Sequence, residues 1–157
     1  MYDSPKPRDS RRRSVFVVSN REPYLHHYGA DGGVECVPTT GGVAVALDAL
    51  MRERGGVWIA HGGGEADRVV VDTHDRVRVP PEEPAYTLRR IWLSDDEESG
   101  YYRGFTNEGL WPLCHMAHVR PVFRSRDWAH YQTVNRRFAE VIDAELGVSQ
   151  APVFIHD

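Results

Sequence analysis

The sequence predicts an α/β domain: a mostly parallel β-sheet with an antiparallel excursion. Three observations carry this prediction. "SVFVV" (Ser14 to Val18) is β-branched and aromatic without alternation, the pattern of a strand covered on both faces. "GGVWIA", running into His61, is a second such strand and follows a glycine-bounded helical segment directly. "VFIHD" (Val153 to Asp157) reads as a third buried strand, one that delivers His156 and Asp157 to its C-terminal end. In α/β sheets that end is where ligands bind.

The elements follow in order. The first strand runs into Arg21. The segment from Arg21 to Thr40 carries Pro, Gly and Asp punctuation and predicts a loop, with a short hairpin around "GGVECV". "GGVAVALDALMRER" places Val43, Val45, Ala46, Leu47, Leu50 and Met51 at helical spacing; Gly41 and Gly42 open this helix, and Gly55 and Gly56 close it. Strand, loop, helix and strand make a βαβ unit, hence a parallel pair joined by a right-handed crossover. Between Arg68 and Leu93 the runs "RVVVDT", "RVRVP" and "YTLRRIWL" are short, with turn chemistry at "THD" and "PPEEP". They predict the antiparallel excursion, or an edge meander.

Ser94 followed by Glu97 is a capping-box signature, and "TNEGLWPLCHMA" predicts a second, shorter helical stretch around Pro112. The longest helix is expected from Arg126 to Leu146, with Ser125 as N-cap. Its apolar stripe is Trp128, Tyr131, Val134, Phe138, Val141, Ile142 and Leu146, and Gly147 stops it. Pro152 opens the last strand.

Composition sets the bounds. With 157 residues, 41% apolar and 27% charged, the chain makes one soluble domain with a real core. A net charge of −4 argues against a nucleic-acid partner. Residues 1–13, "MYDSPKPRDSRRR", have hardly any apolar content and are expected to form a disordered basic leader; residues 14–157 are the folded part. Cys36 and Cys114 lack CxxC spacing, which fits reduced thiols in the cytoplasm. No run reaches the roughly 18 apolar residues of a membrane span, and no secretory signal opens the chain.

Several residues are candidates for chemistry. Gly41 and Gly42 precede a helix, where free N–H groups and the dipole favour phosphate; a plain flexible turn is the other reading. Arg21 at a strand end offers a planar fork for a phosphate monoester, or an ion pair with one of the 23 acidic residues. Tyr101, Tyr102 and Trp111 suit the faces and hydroxyls of a sugar, or simply pack between helices. His115 and His118, spaced i and i+3, make a weak metal pattern with His156 or Asp157, and no metal or other cofactor is expected. Neither a G-x-G-x-x-G turn nor a G-x-S-x-G elbow is present.

Taken together, "VFVVSNR", "GGVAVALDALM", "GGVWIAHG", "GYYRGFTNEGLWPL", "WAHYQTVNRRFAEVI" and "VFIHD" come in an order that resembles the trehalose-6-phosphate synthases, glycosyltransferase family 20. The resemblance spans most of Ser14 to Asp157. It implies a GT-B architecture of two Rossmann-like domains facing across a cleft, with this chain as an incomplete N-terminal, acceptor-side domain. The implied reaction moves glucose from UDP-glucose, or another nucleotide-glucose, to glucose 6-phosphate with retention. By resemblance, Arg21, Tyr102 and Trp111 line the acceptor pocket, Gly41 and Gly42 lie against the donor, and Asp157 is the carboxylate of an "HDYH" motif at the catalytic centre. Two departures are expected to matter. His61 stands where the family usually has Trp, which opens a different acceptor such as a polyol phosphate. The chain also reads as cut at Asp157, so that it alone should have little turnover; a non-catalytic sugar-phosphate-binding module is the alternative. The expected partners are a nucleotide-sugar donor and a sugar-phosphate acceptor, with a homo-oligomer left open.

Overall fold

A computed structural model describes residues 14–156. The expected leader (1–13) and Asp157 lie outside the described residues. A five-stranded sheet runs in the order β5–β6–β4–β1–β7. Its strands are β1 (Val15–Arg21), β4 (Gly56–His61), β5 (Arg76–Val79), β6 (Tyr86–Ile91) and β7 (Val153–Ile155). β1 pairs in parallel with both β4 and β7, and β4 in parallel with β6. Only β5 runs antiparallel, along β6. The fold is thus the α/β, mostly parallel arrangement that the sequence predicts.

β1 and β4 lack alternation because both of their faces are covered. On one face Val17, Trp58, Ala60 and Leu88 pack with Tyr24, Tyr86 and Met51 of helix α1 (Gly42–Arg54). On the other, Phe16, Val18, Ile59 and Ile91 meet Val134 and Phe138 of the long helix α5 (Ser125–Leu146). Each such side chain, fully buried, contributes about 1.5–3 kcal/mol. Polar ties fix the helices over the sheet. The Asp48 carboxylate of α1 accepts from Tyr86 Oη (2.6 Å) and Arg52 Nε (2.7 Å). Glu145, near the end of α5, accepts a two-pronged pair of bonds from Arg76 of β5, both 2.9 Å.

Four expectations need correction. Most of the segment read as a loop is a full hairpin, with β2 (Tyr24–Tyr28) antiparallel to β3 (Val34–Pro38). "RVVVDT" is not a strand: a short helix, α2 (Asp67–Val70), occupies its start. β7 is an edge strand rather than a buried one, with Phe154 48% and Ile155 69% exposed. The N-cap of α5 is Arg124, with Ser125 already inside the helix.

The region after Ser94 is also unlike its expectation. The capping box is present, with Ser94 and Glu97 bonded reciprocally. Beyond it the chain does not break into two helices. α3 (Asp95–Glu98) passes into a π-helical segment, Ser99–Leu110, which passes into α4 (Trp111–Cys114). A π-helix closes its bonds one residue later than an α-helix, so about 4.4 residues make a turn. Gly100, Gly104 and Gly109 are spaced to match, all buried. A Cβ on them would meet His130 at 2.7 Å, Asp127 at 2.5 Å and Phe123 at 2.5 Å respectively. The three glycines therefore let this segment lie directly against α5 and the loop before it. Among the described residues no helix is long and apolar enough to cross a membrane.

Gly55 and Gly56 close α1 as expected, at φ 72° and 120°. A Cβ on Gly56 would stand 2.0 Å from Val15 O, inside the first pairing of β1 with β4. Gly56→Ala is therefore expected to cost at least about 2 kcal/mol, combining a disfavoured φ with a backbone clash. Urea unfolding measures this; an unchanged midpoint would contradict the placement.

Candidate functional site

The site lies at the C-terminal ends of β1 and β4, where side chains from several elements face one opening. Pairing of β1 with β4 is regular to Ser19, then slips by one residue before Arg21. Side chains pin this irregularity: Trp58 Nε1 donates to Ser19 Oγ (2.8 Å), and Ser19 Oγ donates to the Arg21 carbonyl (2.6 Å). Arg21 and Glu22, consecutive at this end, face opposite ways. Arg21 is exposed, whereas Glu22 is 2% exposed and points into the protein.

Arg21 leans towards the π-helical segment, its guanidinium carbon 5.9 Å from the centroid of the Tyr102 ring. Both line a cavity of ≈ 230 Å³, together with Asn20, Thr39, Gly41 and His156. Leu47 and Trp58 supply apolar wall. The glycines are not demanded by the backbone here: Gly41 has φ −105° and ψ 135°, open to any residue. A Cβ on Gly42 would meet nothing within 4 Å, and one on Gly41 only Ala44, at 3.8 Å. Gly41 lines the cavity and leaves the helix N-terminus uncovered there, whereas Gly42 is not among the lining. A second cavity of ≈ 270 Å³ opens on the α5 side of β1, sharing Ser19, Asn20 and His156 with the first. Between the two sits Asn20, whose Oδ1 is buried with no hydrogen-bond partner.

The other expected residues fall elsewhere. Trp111 is 53% exposed and stacks on His115, ring centroids 4.5 Å apart; it is not among the cavity's lining. His61 pairs with Arg21 in the sheet register but also stands outside that lining, its Nδ1 3.3 Å from the Ile91 carbonyl. Tyr101 faces the second cavity, and burial pushes its hydroxyl up to about 12. Among the described residues, no group of three or more His, Cys, Asp or Glu side chains is placed to hold a metal ion.

Sequence reasoning missed the charged cluster behind the site. Arg90 of β6 is fully buried. Its Nε donates to Glu22 Oε2 (2.7 Å), and its Nη2 lies 2.8 Å from Asp67 Oδ1. His26 Nδ1 stands between Arg90 Nη2 (2.8 Å) and Asp67 Oδ1 (3.1 Å), so its tautomer decides which bond it makes. The carboxyls also hold the loop after β4: Gly63 N–H donates to Glu22 Oε1 (2.9 Å) and Gly64 N–H to Asp67 Oδ2 (2.6 Å). Two carboxylates beside one guanidinium would leave a net buried negative charge. Burial, with Asp67 beside it, pushes Glu22 up to about 8, while Asp67 is held down at about 2: burial opposes this, but its bonds to His26 and Glu22 and the Arg90 charge prevail. A signal for this was present. In "YTLRRI" the inward phase carries Tyr86, Leu88 and Arg90, and an arginine at a core position requires an acidic partner.

A cation, an aromatic ring and an open helix start thus stand together at the C-terminal strand ends, where ligands bind in open α/β sheets. The sequence profile of Glycosyltransferase family 20 matches residues 13–157. The chain belongs to that family, with the Rossmann-like N-terminal fold of its GT-B architecture. It is 38% identical over 141 residues to the trehalose-6-phosphate synthase of Mycolicibacterium vanbaalenii, a match covering 90% of this chain and 28% of that one. Among solved structures it is similar to the Escherichia coli enzyme described as bound with UDP-2-fluoro glucose (TM-score 0.62, 26% identity), covering 92% of this chain and 27% of that one. It is also similar to an α,α-trehalose-phosphate synthase (UDP-forming) of Burkholderia xenovorans in complex with glucose-6-phosphate (TM-score 0.58, 25% identity), covering 92% and 28%. The chain thus spans under a third of the length of these relatives.

The Glu22 shift has a definite consequence for stability. Its usual value is 4.5 and its folded value about 8, so between these the unfolded chain has released a proton that the folded chain keeps. Stability contributed by Glu22 is full below pH 4.5 and declines as pH rises through about 8. The slope is at most about 1.4 kcal/mol per pH unit. Asp67 acts in the other window, its contribution being full above 3.8 and lost as pH falls through about 2. Urea unfolding between pH 5 and 8 is expected to show the alkaline decline, and Glu22→Gln to flatten it whatever that variant's absolute stability. An equal slope in both proteins would contradict a protonated Glu22.

Proposed function

We propose that the chain is the acceptor-side domain of a retaining glucosyltransferase that joins glucose from a nucleotide-glucose donor to glucose 6-phosphate, giving trehalose 6-phosphate. The observation that carries this reading is the placement of Arg21 over Tyr102 at the mouth of a cavity that also takes in Gly41. A guanidinium offers two parallel N–H donors to a phosphate monoester, and an aromatic ring beside it packs against the C–H face of a sugar. Support comes from the relatives, one described with a fluorinated UDP-glucose and another with glucose-6-phosphate. The unpaired thiols Cys36 and Cys114 fit a cytoplasmic enzyme.

In this reading Arg21 anchors the acceptor phosphate and Tyr102 lies along the sugar. Gly41 and Gly42 leave the start of α1 open to the donor; Trp111, outside the cavity's lining, and Asp157 enter the acceptor side only as what the family resemblance implies. The new bond forms between the donor C1 and an acceptor hydroxyl as the C1–diphosphate bond breaks. The hydroxyl proton passes to the departing diphosphate. No protein atom is bonded to the sugar, so the domain contributes orientation and charge stabilisation. A second reading, a polyol phosphate as acceptor, is motivated by His61, an imidazole beside Arg21 in the sheet register, though outside the cavity's lining, where the family resemblance leads one to expect an indole.

Calorimetry of the chain with glucose 6-phosphate is expected to show saturable binding, with glucose itself far weaker. Arg21→Ala should weaken binding roughly 10- to 100-fold, the value of a charged hydrogen-bonded contact. Arg21→Lys should fall between, keeping the charge and losing the fork. Equal affinity of Arg21→Ala and wild type would remove the reading. Tighter binding of a polyol phosphate than of glucose 6-phosphate would replace it with the second.

A further inference from the structure

Arg21 and Glu22 are adjacent in sequence and serve opposite sides of the same strand end. Glu22 takes Gly63 N–H and Arg90 Nε; Asp67 takes Gly64 N–H and the backbone N–H of His26 (2.8 Å). Both carboxyls also face the one Arg90 guanidinium, Glu22 Oε2 2.7 Å from Nε and Asp67 Oδ1 2.8 Å from Nη2. One buried cluster therefore fixes the residue after Arg21, the glycine loop after His61 and the start of the hairpin. Gly64 is pressed into it: an added Cβ would stand 2.6 Å from the His26 carbonyl and 2.8 Å from the Asp67 carboxylate.

We propose that Glu22, Asp67 and Arg90 form a proton-sharing clamp that positions Arg21 and the loop after His61, so that loss of the shared proton loosens the cleft and weakens its hold on a phosphorylated ligand. These are positioning residues: none of them lines the cavity. Arithmetic of charge gives the direction. With one proton on the pair, a single negative charge faces the Arg90 guanidinium, and the buried cluster is neutral. Without it, two carboxylates repel at 0% and 2% exposure beside a single guanidinium. The titratable and charged groups facing the pair are Arg90 from β6, His26 from β2 and Cys36 from β3. Burial raises the Cys36 thiol, so it does not supply the transition. Glu22, pushed up to about 8, does.

The ligand consequence rests on the sugar-phosphate reading above; the clamp itself does not, and the experiment separates them. Carboxyl-carbon and amide NMR of the ligand-free chain is followed from pH 6.5 to 9.5. The expected result is one midpoint near 8 shared by the Glu22 carboxyl and the amides of Arg21, His61, Gly63 and Gly64, absent in Glu22→Gln. A Glu22 carboxyl titrating in the ordinary range, or glycine amides that move while Arg21 and His61 stay still, overturns the clamp. In a parallel arm, affinity for glucose 6-phosphate, whose phosphate with a second pKa of about 6 is already mostly dianionic at pH 7, is measured at pH 7 and pH 9. A loss of roughly 3- to 10-fold in wild type, missing in Glu22→Gln, supports the coupling; a pH-independent wild type overturns it. Absence of binding at every pH rejects the sugar-phosphate reading and leaves the ligand-free titration to decide the clamp.

Discussion

Between Ser19 and Arg21 the pairing of β1 with β4 slips, and the slip decides which side chains face the cleft and which face the core. An ordinary strand end sends consecutive residues such as Arg21 and Glu22 to alternate faces of the sheet without regard to the cleft. The irregularity, held by Trp58 through Ser19, instead turns Arg21 outward beside Tyr102 and sends Glu22 beneath the loop after β4. Bulges commonly re-aim a side chain next to functional sites. Here one backbone offset supplies both a ligand-facing guanidinium and the acid that braces it.

What surrounds that offset is arranged to be rigid. The apolar faces of β1 and β4 are closed by α1 on one side and α5 on the other. Tyr102 is carried by a π-helical segment whose glycines sit against α5 and the loop before it, so its ring position follows from contacts on the far side of the same turn. The charged cluster adds specificity more than stability. Removing one partner of a buried ion pair costs about 3–5 kcal/mol, whereas an apolar replacement of the whole cluster is often neutral. Its value lies in holding two glycine N–H groups and one strand end in a single arrangement.

Much of this was legible in the sequence because the signals were local or periodic. The unalternating runs at β1 and β4, the glycines bounding α1 and the stripe of α5 follow directly from burial on two faces and helical phase. The failures have physical reasons. β7 looks like a core strand in isolation, but only its neighbours in the sheet decide that it lies at an edge. The π-helical segment was missed because a glycine spacing of four and five, at 100, 104 and 109, fits neither helix nor strand expectations. For the site, Arg21, Gly41 and Tyr102 could be named as candidates, yet their sharing of one cavity depends on long-range packing. The buried acids escaped because Glu22 and Asp67 sit 45 residues apart and come together at Arg90, itself hidden among strand letters.

The central claim, that the end of β1 organises one ligand-facing corner, is tested most directly by mapping amide shifts while glucose 6-phosphate is added to the labelled chain. The account predicts that Asn20, Arg21, Gly41, Gly42 and Tyr102 respond together with one saturation curve, while β5 and the far end of α5 stay unmoved. Shifts that gather on another face, or a response of Tyr102 without Arg21, would contradict it.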